Sequence, residues 1–463
     1  MENLHSYEIL KVVREKKRVS LTNRLIVDDF VINYEDINQP TSIHISNSKF
    51  NGRIEVNTLS FGLSITFKNC QINQAIDVHN SSVEINIISN SIVEGAVSYY
   101  GDGDDSKHIA LRVSDSEVHN ITLYEAVCKT LFLKNIQSSN EALPVIQFVG
   151  NKFIESVNVT GDISAMVMFH RCTFLYPANF NTTPLGVAKF HILEFAFTIF
   201  EKLVLFNNCS FTSIKFLNVQ FKSGTTFNNA IGIHASNSSL FFAKCNFEKE
   251  TDLSAMQSGS AKYEWCHFSD PVSFVSCNFQ NFMLTQCFFA KSCNFYKVSI
   301  SVSDRETYRI IKNEFIKINN KIESLIYQKR EMEAYEREIG YKDNPADRSI
   351  LFLSKWSNYY GLNWLWGARF TFCIAFVTFF LYQYSLVNNP VTFGWISSQD
   401  FGQAMNIYLK SFFQFWLPTH TIDFMKEYYP SWVSYFIDII ARIFIAYGFV
   451  QTVAAFRKFG KVD

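Results

Sequence analysis

The sequence predicts a β-solenoid, then a helical stalk, then two transmembrane α-helices. Three observations carry that expectation. Apolar residues recur at a spacing of five through the first two thirds of the chain. A charged segment without proline then carries a heptad-like seam. Two long apolar runs follow it.

The repeat is clearest in residues 202–223, KLVLFNNCSFTSIKFLNVQFKS, where Phe206, Phe211, Phe216 and Phe221 stand five apart. Two places before each stands Val204, Cys209, Ile214 or Val219. The double ladder recurs at Val78, Val83, Ile88 and Val93, and at Val113, Val118, Leu123, Cys128 and Leu133. Later, Phe274, Phe279, Leu284 and Phe289 pair with Val272, Cys277, Phe282 and Cys287. A helix repeats at 3.6 residues and a strand at 2, so this period describes a chain that turns a corner every five residues. Four such sides close a coil of about 20 residues, within the solenoid range. Asn69, Asn80, Asn90, Asn208, Asn246 and Asn278 precede large residues. They suit the corners, because Asn bonds nearby backbone and tolerates left-handed dihedrals.

Composition agrees. The chain has 47 Phe and only 9 Pro, and so much Phe must be buried in a core or in lipid. The ten Cys show no CxxC or CxxH spacing, so neither a zinc site nor any other metal or cofactor site is expected. Most of them recur at one place in the repeat, as reduced thiols packed in a cytoplasmic protein would. The N-terminus carries basic residues without an apolar run, unlike a secretory signal. Its segment Tyr7–Lys17 is expected to form an amphipathic helix that caps the solenoid.

In Cys277-Asn278-Phe279 and Cys245-Asn246-Phe247 the repeat resembles that of the pentapeptide-repeat family, over roughly residues 40–300. The resemblance implies a right-handed quadrilateral β-helix and says little about function. Inserts at Gly95–Lys107 and Tyr176–Lys189 depart from the pattern and leave a looser β-helix open. Some members of that family imitate DNA with an acidic surface. Residues 40–303 hold 18 Lys/Arg and 20 Asp/Glu, a balance that argues against DNA mimicry, and no nucleic-acid partner is expected.

After Ser303 the composition changes. Ile311, Phe315, Ile318, Ile322 and Leu325 alternate steps of four and three, which predicts one helix over 304–340 with Asp304 as N-cap and Gly340 as stop. That helix either forms an oligomerising coiled coil or packs on the last solenoid coil. The apolar runs Leu362–Val387 and Trp432–Phe456 each exceed the ~20 residues that cross a bilayer, with Trp364, Trp366 and Trp432 as interfacial anchors. Arg348, Lys355 and Arg369 lie near the first run, and Arg457, Lys458 and Lys461 follow the second. Both termini are therefore expected in the cytoplasm. The domains read as 1–39 cap, 40–303 solenoid, 304–340 stalk and 341–463 membrane segment.

Between the runs, Ala404, Ile407, Tyr408, Phe412 and Phe415 share a helical face within 401–416, ended by Pro418. Such a helix is either re-entrant or interfacial. The layout resembles the span–pore helix–span unit of two-helix cation channels, which implies a filter near Thr419, His420 and Thr421. The glycines of a potassium filter are missing. Asp438 and Arg442 lie four apart inside the second run and can pair on one face, as a pore-lining or subunit contact. In the solenoid, Asp102, Asp104, Asp105 and His108 form an acidic cluster. It reads either as acid–base chemistry or as a polar turn.

The expectation that follows is an oligomeric, channel-like membrane protein with a cytoplasmic solenoid that binds a protein partner. A membrane-tethered protein-binding scaffold without transport activity is the alternative, and neither reading requires an enzyme.

Overall fold

The computed structural model describes residues 2–33, 36–37, 39–57, 62–104, 106–137, 143–181, 188–233, 237–340, 344–387, 398–421 and 425–456. The chain divides into two compact units, Met1–Ser303 and Asp304–Asp463.

The first unit is a parallel β-solenoid of about 13 turns. On one face Arg18–Thr22 pairs with Thr41–Ser46, which pairs with Leu63–Lys68 and then with Val83–Ile88. Stacked strands are thus present before residue 40, from Glu2–Leu4, which pairs in parallel with Arg24–Ile26. The early coils use aliphatic strands of five or six residues, in which inward and outward side chains alternate at two. This alternation also corrects one ladder position. Ile85 and Ile87 point inward, and Ile88 is only partly buried.

Later coils are built differently. The two-residue strands already present at Lys49–Phe50, Gln71–Ile72 and Lys152–Phe153 become regular from Cys172 onward, among them Ile199–Phe200, Gln220–Phe221, Asn246–Phe247 and His267–Phe268. Here the core is aromatic. Phe148, Phe169, Phe195, Phe216, Phe242 and Tyr263 stack at centroid distances of 4.6–5.0 Å. A second column runs through Phe153, Phe174, Phe200, Phe221, Phe247, Phe268 and Phe289 at 4.5–5.3 Å. Rings five apart meet edge-on, as Phe216 and Phe221 do at 63°. The five-residue period is thus one step around the coil, and stacking joins one coil to the next. Each such pair contributes about 0.5–1.5 kcal/mol beyond its area burial.

Corners are left-handed. Asn69, Asn80, Asn90 and Asn208 have φ of 44–61°, a region costly for most L-residues and least so for Asn. Asn246 and Asn278 do not sit there. They open strands Asn246–Phe247 and Asn278–Thr285, and the corner residues are Lys244 and Ser276, two places earlier. The residue after a corner often donates to a carbonyl one coil back. Cys172 Sγ reaches Phe148 O at 3.4 Å, Thr198 Oγ1 reaches Phe169 O at 3.0 Å and Cys266 Sγ reaches Phe242 O at 3.6 Å. Burial pushes the Cys172, Cys209 and Cys277 thiols up to about 12, so they stay protonated donors.

Helix α1 (Ser6–Glu15) buries Ile9 and Val13 against the first strands. Arg14 anchors it to Asp36 at 2.6 Å.

In the second unit the expected single helix is two. Helix α2 (Arg305–Lys317) starts on Asp304, whose side chain accepts the Thr307 amide. The chain turns at Asn319, φ 55°, and Asn320 caps helix α3 (Lys321–Glu338). The two run antiparallel. Arg305 lies over the Tyr335 ring, Lys312 pairs with Glu331 at 2.7 Å and Phe315 stacks on Tyr327 at 5.5 Å. Two Asn in succession interrupt the seam, so Ile311 and Phe315 are buried while Ile318 and Ile322 stay exposed. Helix α4 (Pro345–Asn358) follows, with Asn344 as its cap. Its Lys355 reaches Glu336 of α3 at 2.9 Å and holds that carboxyl below its usual range.

Candidate membrane site

Two helices are long and apolar enough to cross a membrane. They are α5 (Trp364–Tyr384), with mean hydropathy 1.6, and α7 (Trp432–Phe456), with mean hydropathy 1.8. Only 28% and 22% of these apolar windows are buried within the chain. A soluble core helix would be mostly covered, so the exposed remainder suggests membrane association. The helices pair antiparallel, with Gly367 beside Thr452 and Gly448 beside Thr371. Ser385 Oγ and Ser434 Oγ, 2.7 Å apart, join the other end.

Between them in the chain lies α6 (Ser398–Trp416). Its expected inward face is present where it is described. Phe415 and Phe412 are buried, and Tyr408 meets Phe379. The side chains of Ala404 and Ile407 lie outside the described residues. Phe372, Phe376 and Phe379 of α5 receive the Phe412 ring at 5.5–6.3 Å. Trp416 at the C-terminal end of α6 lies 5.9 Å from Phe372 and 6.1 Å from Phe449. Phe372 stands ~18 Å along α5 from its Tyr384 end, at 1.5 Å per residue. Phe415 packs instead on Tyr382 at 5.5 Å and, like Tyr408, on Phe379, so the rings of α6 spread along α5 between Phe372 and Tyr382 before the chain turns back.

That turn delivers His420 to α7. His420 Nε2 lies 2.8 Å from Asp438 Oδ1. Arg442 Nε donates to Asp438 Oδ2 at 3.0 Å, with its Nη2 at 2.9 Å from the same oxygen. The imidazole Nδ1 faces the Leu417 carbonyl at 2.7 Å, and Phe415 packs against the ring at 5.5 Å. The His420 and Asp438 side chains are 5% and 1% exposed. The structure thus joins two candidate sites that the sequence kept apart. The Asp438–Arg442 pairing follows from helical spacing, but the 18-residue step to His420 carries no periodic signal. Thr419 and Thr421, on either side, are exposed. Around the triad, Ala375, Phe379, Tyr382, Met425, Ala441 and Ile445 form an apolar cluster. Gln383 is 5% exposed, and its Oε1 has no hydrogen-bond partner among the described residues.

The solenoid cluster is a turn. Asp102 accepts the Asp104 amide at 3.0 Å and the Asn80 carboxamide at 2.5 Å. Asp104 accepts both the amide and the hydroxyl of Ser106. These donors hold both carboxyls below their ordinary value, the opposite of what a general acid needs. His108 begins the next strand, and its backbone amide meets Ser82 Oγ at 3.4 Å. Asp105 lies outside the described residues. Among the described residues, no group of three or more His, Cys, Asp or Glu could hold a metal ion.

Comparison with family models, with curated proteins and with solved structures returns no match.

Proposed function

We propose that the protein is an integral membrane protein with a pore-like hairpin, in which α5 and α7 span the bilayer and α6 is re-entrant. One observation carries this reading. The rings of α6 pack on α5 inside its apolar length, Phe412 on Phe372, Phe376 and Phe379 and Trp416 on Phe372. A helix lying on the membrane surface would not reach that depth. Ionisable groups in a span face a bundle interior or a wet path; Asp438 and His420 are enclosed within the chain, and of the triad only Arg442, 23% exposed at its side chain, opens outward. This supports a homo-oligomer in the bilayer, with the Asp438–Arg442 side turned to a central axis. Flanking Lys and Arg favour cytoplasmic termini. The five-residue ladder supports kinship with pentapeptide-repeat proteins, and the solenoid then acts as a cytoplasmic interaction domain.

Dye and ion flux from liposomes containing the full-length chain tests the proposal. We expect flux that depends on protein density and is lost in Asp438→Ala. Liposomes that stay tight at every density exclude a pore.

A membrane-tethered scaffold is the second reading, favoured by Phe197 and Trp265. Both are about 60% exposed at left-handed corners, where a large apolar side chain gains nothing for the fold. Binding of a protein partner that is lost in Phe197→Asn together with Trp265→Asn, in liposomes that remain tight, supports the scaffold.

A further inference from the structure

We propose that α4 is a lipid-binding helix, whose exposed apolar face lies in the bilayer leaflet at the Trp364 end of the hairpin. The inference rests on the membrane-hairpin reading above and adds a lipid-facing surface outside α5, α6 and α7.

The polarity of α4 carries the argument. Ser349, Phe352, Leu353 and Trp356 follow one another at three and four residues and so share one side of the helix, with Ile350 beside them. Ile350, Phe352 and Trp356 are 63%, 54% and 59% exposed. The one hydroxyl on this side, that of Ser349, donates to the Pro345 carbonyl of its own helix at 2.8 Å. The polar side chains of α4 are taken up by the protein instead. Asp347 accepts from the Tyr335 hydroxyl at 3.1 Å, Arg348 donates to the Ile339 carbonyl at 2.8 Å and Lys355 pairs with Glu336 at 2.9 Å. A helix on a soluble protein turns its apolar stripe to the core and its charges to water. In α4 the order is inverted, as it is for a helix whose outer medium is apolar.

What covers the stripe follows from what α4 is fastened to. Its Ser357 hydroxyl lies 3.3 Å from the Tyr447 hydroxyl of α7, and its Asn358 carboxamide donates to the Gln451 side chain one turn further on. Tyr447 and Gln451 sit in an apolar helix, where a polar group without a partner is costly in lipid. The Trp356 ring meets Phe370 of α5 at 6.4 Å. Phe370 and Tyr447 both lie inside the apolar helices rather than at their ends, so the C-terminal end of α4 is docked on the hairpin itself. Trp366 stands four residues before Phe370 on the same side of α5 and is 46% exposed. The stripe therefore continues onto a face of α5 that the membrane reading gives to lipid. The 14 residues of α4 are too few to cross a bilayer. Trp and Phe on one face are what interfacial helices bury at the boundary of headgroups and acyl chains. The stripe carries no charge with which a protein partner could be oriented, and the occupant is the leaflet.

The experiment is fluorotryptophan NMR of the full-length protein in phosphatidylcholine–phosphatidylglycerol nanodiscs. Trp356→Phe, Trp366→Phe and Trp265→Phe assign three signals, for α4, for α5 and for the solenoid. One sample contains lipid with a nitroxide near the glycerol end of its acyl chain, and another a water-soluble gadolinium chelate. We expect the labelled lipid to erase the Trp356 and Trp366 signals and to spare Trp265. The chelate should erase Trp265 and spare Trp356. A Trp356 signal that behaves as Trp265 does places the stripe in water and overturns the proposal. A Trp356 signal untouched by both agents also overturns it, because a protein surface such as a second copy of the chain then covers the stripe. In both cases loss of Trp366 to the labelled lipid leaves the membrane hairpin standing. If Trp366 also ignores the lipid, the hairpin reading falls and the inference falls with it. Neither readout needs flux, so a tight bilayer removes the pore without touching the placement of α4.

Discussion

Thr371 and Gly448 meet so closely that a Cβ added at Gly448 would lie 2.3 Å from Thr371 Oγ1. The relation repeats with the roles exchanged, since a Cβ on Gly367 would lie 2.6 Å from Thr452 Oγ1. Each threonine stands four residues after the glycine of its own helix and donates to that glycine's carbonyl at 2.8 Å. The hydroxyls are thus satisfied within their helices and leave the backbones free to approach. Small residues four apart are how helices pack where lipid offers no hydrophobic drive.

Gly448→Ala is therefore expected to destabilise the α5–α7 pair by about 1–3 kcal/mol through overpacking. Thr371→Ala should restore much of that stability in the double variant, because it removes the atom that is struck. A double-mutant cycle on unfolding in detergent measures the coupling. Additive effects would contradict the close approach.

Cys266 separates packing from hydrogen bonding. Its thiol reaches Phe242 O in the preceding coil and is fully buried. Cys266→Ser keeps the donor and should cost little. Cys266→Val keeps the bulk but removes the donor shared by the Phe242 and Glu264 carbonyls, at a cost of about 0.5–1.5 kcal/mol. Denaturant midpoints of the two variants should differ in that order. Equal midpoints would show that the donor contributes nothing.

The Asp102–Asp104 turn gives a pH signature. Both carboxyls are held down in the fold, chiefly by backbone amides. Their contribution is fully present above the unfolded value of about 3.9 and fades only as pH falls through the lower folded value. Carboxyl carbon NMR should place both midpoints below that of a free aspartate. A midpoint at or above it would mean that the turn is not formed.

Much of the solenoid is written in the sequence, because a ring that must stack on its copy leaves a periodic trace. Phe206, Phe216 and Phe221 are legible for that reason. The early coils are only partly so: Val78, Val83 and Val93 are buried where the five-residue ladder puts them, while Ile43, Ile45, Ile85 and Ile87 follow the ordinary alternation of a strand. The break at Asn319 is hidden by heptad spacing that continues across it. In the candidate site, Asp438 and Arg442 show themselves by being charged inside an apolar run. His420 does not, because its partner is set by how α5, α6 and α7 pack on one another rather than by any local pattern.

The stacked columns make the length of the rod a discrete quantity. Val204 pairs with Thr225 at a separation of 21 residues, and Thr225 pairs with Thr251 at 26; the extra five enter between Gly232 and Ser239, since Ser210–Leu217 is met first by Ile231–Gly232 and then by Ser239–Ala243. A whole coil can be added or removed and every remaining ring still finds a neighbour, whereas a residue deleted inside a paired strand such as Ser210–Leu217 turns the side chains beyond it in that strand to the other face. Such a rod can grow or shrink by duplication of coils but hardly by drift, and its reach is adjustable only in steps of about 4.8 Å, the spacing between paired strands.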